Sequence, residues 1–109
     1  MYSRGDIVMI PVPFTDLSAS KRRPVLVISN DAYNTADQDM IVVAITSNLA
    51  QTGIPITDDG MEQGQIPKPS VIRSGKVYTL KQDIVVKSIG RVKDAIVTSV
   101  YNDIIKHIS

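Results

Sequence analysis

What most constrains this chain is a series of short β-branched apolar runs, each cut off by proline, glycine or a polar cluster. Ile7 to Val12 sits between Gly5-Asp6 and Pro11-Val12-Pro13. Val25 to Ser29 follows Arg23-Pro24 directly. Met40 to Thr46 carries Ile41, Val42, Val43 and Ile45. Runs of this length and residue type read as buried strands rather than helices. Ile54-Pro55-Ile56 reads as an edge piece, because proline has no hydrogen for a ladder. Ser70 to Arg73 and Lys76 to Leu80 flank Ser74-Gly75, which predicts a hairpin turn there. Asp83 to Ile89 ends the series at Gly90. The period then changes. Ile96, Val100, Ile104 and Ile108 recur every fourth residue with Val97, Tyr101 and Ile105 beside them, which predicts one amphipathic helix from about Lys93 to His107. Six or seven short strands followed by one helix predict a mainly β fold with a C-terminal helix, closed as a small barrel. A length of 109 residues suits a single domain over 1–109.

Composition removes several chemistries. There is no cysteine, which excludes disulfides, thiolate nucleophiles and Cys-based zinc sites. The single histidine, His107, makes a Ser-His-Asp triad or a His-rich metal centre improbable, so neither metal nor cofactor is expected. No apolar run approaches the roughly 18 residues of a membrane span. The N-terminal residues lack the pattern of a signal peptide. A cytoplasmic protein without membrane contact is the expectation. The net charge of +1 conceals an asymmetry, with −4 over residues 1–64 and +5 over 65–109. That distribution is compatible with a local basic face of the kind nucleic acid requires, and equally with ordinary solvated charge.

Two constellations carry chemical potential. Lys21-Arg22-Arg23-Pro24 closes the polar segment Pro13 to Arg22. Proline restricts Arg23 to extended backbone, and the apolar residues that follow anchor it at a strand edge, with Lys21 and Arg22 expected on a flexible loop. A rigidly held guanidinium matches two phosphate oxygens with its donor fork. Taken alone, these bases also fit a charged strand entrance that keeps an apolar run soluble. Thr46-Ser47-Asn48 ends the third strand with two hydroxyls and an amide, which fits either an oxyanion-stabilising group or a common turn. If the second and third strands pair antiparallel, Arg23 and Thr46 lie at the same end of the sheet. One permanent cation and one hydroxyl suit phosphoryl transfer in RNA, where the substrate's own 2′-hydroxyl is the nucleophile and the protein positions the phosphate and stabilises its transition-state charge.

Taken in order, Gly5-Asp6-Ile7-Val8, Pro13-Phe14-Thr15-Asp16-Leu17, Arg23-Pro24-Val25-Leu26-Val27-Ile28-Ser29, Ala44-Ile45-Thr46-Ser47, Pro69-Ser70-Val71-Ile72-Arg73 and Ser88-Ile89-Gly90 resemble the MazF/PemK family of toxin ribonucleases. The likeness spans nearly the whole chain, and its specificity lies in the ordered set rather than in any one element. It implies an SH3-like small β-barrel of the CcdB/PemK plasmid-toxin type and a homodimer. It also implies metal-independent cleavage of single-stranded RNA to a 2′,3′-cyclic phosphate and a 5′-hydroxyl, and a cognate antitoxin that covers the RNA groove. By position, the family's catalytic arginine falls on Arg23 and its catalytic hydroxyl on Thr46. One departure stands out. Many members carry a glutamate shortly before the arginine, whereas this chain has Ser18-Ala19-Ser20-Lys21-Arg22 there. Asp16 is a fallback candidate for the base, and not the favoured one.

Around this pair, Lys21, Arg22, Ser47, Asn48, Thr15, Ser20, Tyr33 and Arg73 are the candidate RNA-binding or supporting residues. Phe14 and Tyr33 are the aromatics available for base stacking or for core and loop packing, and Arg73, Lys76 and Lys87 fit either contacts to the RNA backbone or inert charges on exposed strands. The residues leave two alternatives open: a CcdB-like topoisomerase poison without enzymatic activity, and a catalytically inactive binding module on the same fold.

Overall fold

The computed structural model describes residues 1–12 and 21–109. Phe14, Thr15, Asp16 and Ser20 lie outside the described residues. Among the described residues, seven strands form one antiparallel sheet: β1 (Asp6–Val12), β2 (Lys21–Val27), β3 (Asp39–Thr46), β4 (Ile54–Ile56), β5 (Met61–Gly64), β6 (Ser70–Lys81) and β7 (Lys87–Val92). Two helices accompany them, α1 (Asp31–Ala36) and α2 (Asp94–Ile108). The strand order is β4-β6-β3-β2-β1-β7-β5. The two outermost strands, β4 and β5, are therefore neighbours in sequence, separated only by Thr57 and a 3-10 turn over Asp58–Gly60.

The sheet curls because that connection is short. Ile56 and Met61 are five residues apart, and such a stretch reaches at most about 18 Å. A flat sheet of this many strands would hold its edges about 29 Å apart, at about 4.8 Å per gap. The result is a half-barrel with an inner core of Ile7, Leu26, Val43, Ile45, Ile56, Ile72 and Val92, closed by Val97 and Val100 of α2. A second cluster, Val8, Ile10, Val25, Val27, Met40 and Val42, occupies the opposite face of β1–β3 beneath Tyr2, Leu80, Ile84 and Val85. These three strands are buried on both sides. Hence their sequences are continuous apolar runs rather than alternating ones.

Several expectations need correction. Ser74-Gly75 is not a hairpin turn. β6 runs unbroken through it, and its register against β3 jumps from Ala44↔Arg73 to Val43↔Val77. Ser74 is buried there, and Gly75 lacks the positive φ that a tight hairpin would demand. The last strand does not end at Gly90 but runs through it. Gly90 has φ +153° and faces Gly64, and a Cβ on it would sit 2.3 Å from the Gln63 carbonyl oxygen. Lys21 and Arg22 lie in β2, paired with Val12 and Pro11, rather than on a loop. The polar stretch after β2 contains α1, capped by Asn30, whose Oδ1 accepts from the Tyr33 N–H at 2.9 Å. The segment Thr57 to Pro69, which reads in the sequence as a long loop carrying Asp58, Asp59 and Glu62, contains β5. The apolar stripe of α2 packs as far as Ile104, and Ile105 and Ile108 are exposed.

The end of the sheet next to α1 is held by polar contacts. Asn34 is 2% exposed; its Nδ2 donates to the carbonyls of Tyr2 (2.9 Å) and Ser29 (3.0 Å), and its Oδ1 accepts from the Ser29 hydroxyl. Gln82 bridges the same region, accepting from the Tyr2 N–H and donating to the Asn34 carbonyl, each at 2.9 Å. Among the described residues, no helix is long and apolar enough to cross a membrane. Asn34→Ala strands several buried polar groups, and is expected to lower the unfolding free energy by about 2–4 kcal/mol in urea denaturation. A loss under 1 kcal/mol would contradict this role.

Candidate active site

The site lies at the end of the sheet opposite α1, where β2 begins and β3 ends. The β2–β3 ladder pairs Val27 with Val42, Leu26 with Val43 and Val25 with Ala44, then stops. The next residue in β2 is Pro24, whose nitrogen has no hydrogen to donate. Continuing the antiparallel register sets Arg23 beside Thr46, just past the point where the strands unzip. Arg23 is held from the other side by its pairing with Ile10 of β1. Strand alternation puts Arg23 on the face of Val25 and Val27, and Thr46 on the face of Val42. The two therefore share one face. Both line a groove of about 260 Å³ together with Ile10, Val12, Arg73, Lys76 and Tyr78.

Two features suit this groove to a phosphodiester. The first is its charge: Arg23, Arg73 and Lys76 line it, and among the described residues none of the three forms an ion pair. The second is the state of the Thr46 hydroxyl. Its Oγ1 accepts from the Asn48 N–H at 3.1 Å. The oxygen is thus oriented, and its own proton remains to be donated outward. The described lining of the groove contains no carboxylate and no histidine. Among the described residues, no three His, Asp or Glu side chains come together to hold a metal ion.

The other predicted residues divide. Arg73, in β6 opposite Ala44, joins the pair, and its Nη1 donates to Gln51 Oε1 at 2.7 Å. Gln51 was not singled out in the sequence, since it carries no motif and acts only through a fold contact. Lys21 is an exposed strand residue on the Arg23 side of β2. Arg22 and Ser47, each adjacent in sequence to a groove residue, point to the opposite face. There they border a second cavity of about 270 Å³ floored by Met9, Ile45, Ile66 and Ile89, with Lys68 at its rim. Arg23 edges both cavities. Asn48 is spent on the loop itself: its Oδ1 accepts from the Ala50 N–H (3.1 Å) and its carbonyl from the Gln51 N–H (3.1 Å). Tyr33 is not brought to the site. It sits in α1, which joins the far ends of β2 and β3. Thr15, Ser20 and Phe14 lie outside the described residues.

Residues 3–108 match the family model of the PemK-like, MazF-like toxins of type II toxin-antitoxin systems. The chain belongs to that family. No curated protein sequence matches it. Solved structures similar to this MazF-like toxin include MazF with MazE from Deinococcus radiodurans, at TM-score 0.75 and 17% identity, covering 99% of this chain and 95% of that one. An endoribonuclease from a Mycobacterial species, solved with its cognate antitoxin, has TM-score 0.70 and 21% identity over 97% of this chain and 90% of its own. The Mycobacterium tuberculosis toxin MazF-mt6 has TM-score 0.70 and 19% identity over 91% of each chain. At these identities the likeness is one of fold.

In this toxin the Thr46–Asn48 turn has a cost that can be measured apart from activity. Thr46→Val is expected to lower the unfolding free energy by about 0.5–1.5 kcal/mol in urea titration, while Thr46→Ser keeps the acceptor and leaves the midpoint near that of wild type. Equal stability of the valine and serine variants would contradict an oriented hydroxyl.

Proposed function

We propose that this MazF-like toxin is a sequence-specific endoribonuclease that cuts single-stranded RNA without a metal ion, acting in the cytoplasm as a homodimer. In this reading a cognate antitoxin silences it by covering the same groove. What carries the reading is the convergence of Arg23 and Thr46 on one face at the unzipped end of the β2–β3 ladder, in a groove whose described charges are all positive.

The reaction follows from the groups present. The RNA 2′-oxygen attacks the adjacent phosphorus as its proton leaves, and a pentacoordinate phosphorane-like transition state accumulates negative charge. The bond from phosphorus to the 5′-oxygen breaks, and that oxygen takes a proton. The products are a 2′,3′-cyclic phosphate and a 5′-hydroxyl. Arg23 is suited to grip two non-bridging oxygens with its fork, and Thr46 to donate its free proton to one of them. The nucleophile comes from the substrate, so no metal-bound water is required. Arg23 is suited to protonate the leaving 5′-oxygen and water to take the proton of the 2′-hydroxyl; Asp16, the fallback base, lies outside the described residues.

The test uses purified protein and a mixed single-stranded RNA pool in EDTA, with the ends of the fragments mapped. Arg23→Ala and Thr46→Val are each expected to lower cleavage about 100- to 1,000-fold. Arg23→Lys should recover little, because a point charge lacks the bidentate fork. Intact RNA with the wild-type protein would sink the nuclease reading, and growth arrest that then depended on gyrase would replace it with a topoisomerase poison. Binding of RNA without cutting would leave an inactive module.

A further inference from the structure

Arg73 and Gln51 show a feature that the cleavage chemistry does not use. We propose that Arg73, oriented by Gln51, is a second phosphate site, which binds the RNA backbone one nucleotide away from the scissile phosphate. This rests on the nuclease reading above. Gln51 is a positioning residue in this scheme and touches no substrate.

Three observations carry it. Arg23 and Arg73 stand on the two strands that flank β3, Arg23 beside Thr46 and Arg73 opposite Ala44. Two strand gaps and an offset of two residues set their backbones about 12 Å apart across one face, and both line the same groove. Two cations rooted this far apart along one groove suit adjacent phosphates of one extended strand. Next, the partner that fixes Arg73 is neutral. The Gln51 carboxamide oxygen takes one Nη1–H at 2.7 Å, which orients the planar fork while leaving its charge and its remaining donors for a ligand. A carboxylate in that place would orient it equally and cancel the charge. Asp103 borders a small neighbouring cavity with Arg73, but its carboxylate lies 3.7 Å from His107 Nε2 and forms no ion pair with Arg73. Finally, β6 shifts register immediately after Arg73, leaving Ser74, Gly75 and Lys76 without partners on β3. Lys76 lines the groove beside Arg73 as a second cation. The competing explanation is that Gln51 merely ties the loop 47–53 to β6.

The experiment separates the two. Binding is measured with a 2′-O-methyl RNA pool, which has no free 2′-hydroxyl and stays intact, over a series of salt concentrations, with folding checked by circular dichroism. Arg73→Ala is expected to weaken binding about tenfold and to lower the magnitude of the salt slope by about 0.7, the value for one phosphate of a single strand. Gln51→Glu keeps the tether but neutralises the guanidinium, and is expected to have the same effect. A purely structural Gln51 predicts wild-type binding for Gln51→Glu. In oligonucleotides cut at a mapped position, a methylphosphonate one nucleotide from that position should weaken binding to the wild type and not to Arg73→Ala. Wild-type affinity and salt slope in Arg73→Ala and Gln51→Glu would overturn the second site, as would an equal methylphosphonate penalty in wild type and Arg73→Ala at every flanking position. Cutting that survived Arg23→Ala would instead overturn the nuclease reading itself. Loss of cutting in Arg23→Ala with unchanged binding by the other two variants would remove only the second site.

Discussion

The architecture depends on one geometric constraint: the two edge strands of the sheet are joined by four residues, Thr57 to Gly60. A chain that short cannot span a flat sheet of this width, so the sheet must curl until β4 and β5 approach each other. Curling gives the sheet an inside, which α2 closes with Val97, Val100 and the Tyr101 hydroxyl, a donor to the Ile28 carbonyl. It also brings glycine against glycine where β5 meets β7, because the paired backbones at Gly64 and Gly90 leave no room for a Cβ. The same curl leaves the concave and convex surfaces of β1–β3 both covered. Only the ends of these strands are then open for function.

The two ends are treated differently. Beside α1, the polar groups are satisfied by a closed network around Asn34, Ser29 and Gln82. At the other end, Pro24 interrupts pairing between β2 and β3, and the side chains that emerge are cationic or hydroxylic. A proline in a central strand would ordinarily weaken a sheet. Here its missing hydrogen falls where the ladder ends anyway, and the interruption holds Arg23 and Thr46 side by side without a backbone bond between them. Binding surface and structural core are thus separated along the length of the same strands.

Much of the fold was legible in the residues. The apolar runs Ile7 to Val12 and Met40 to Thr46 correspond to β1 and β3, because double burial demands unbroken β-branched sequence, whereas the run Val25 to Ser29 overlaps β2 only over Val25 to Val27. The four-residue spacing from Ile96 marks α2 for the same reason of burial. The errors arose where local signals compete with tertiary contacts. Ser74-Gly75 carries the residues of a turn, yet the strand runs on through it, with a shift of register against β3. Met61 to Gly64 has no strand composition and is held as β5 by pairing with β7. α1 is only six residues long, and its signal is the Asn30 cap rather than a periodicity.

Sequence alone determined which groups this chain can use: an arginine locked by the proline behind it, a threonine at a strand end, and no thiol. These follow from backbone restriction and side-chain chemistry, both local properties. Whether Arg22 or Arg23 faces the groove, and whether Thr46 or Ser47 joins it, was decided only by strand register, since a shift of one residue exchanges the faces of every side chain. The same holds for Gln51, which stands 22 residues before Arg73 in the chain's order, yet is bonded to it. Its place follows from how β3 and β6 pair, a long-range contact that no local pattern encodes.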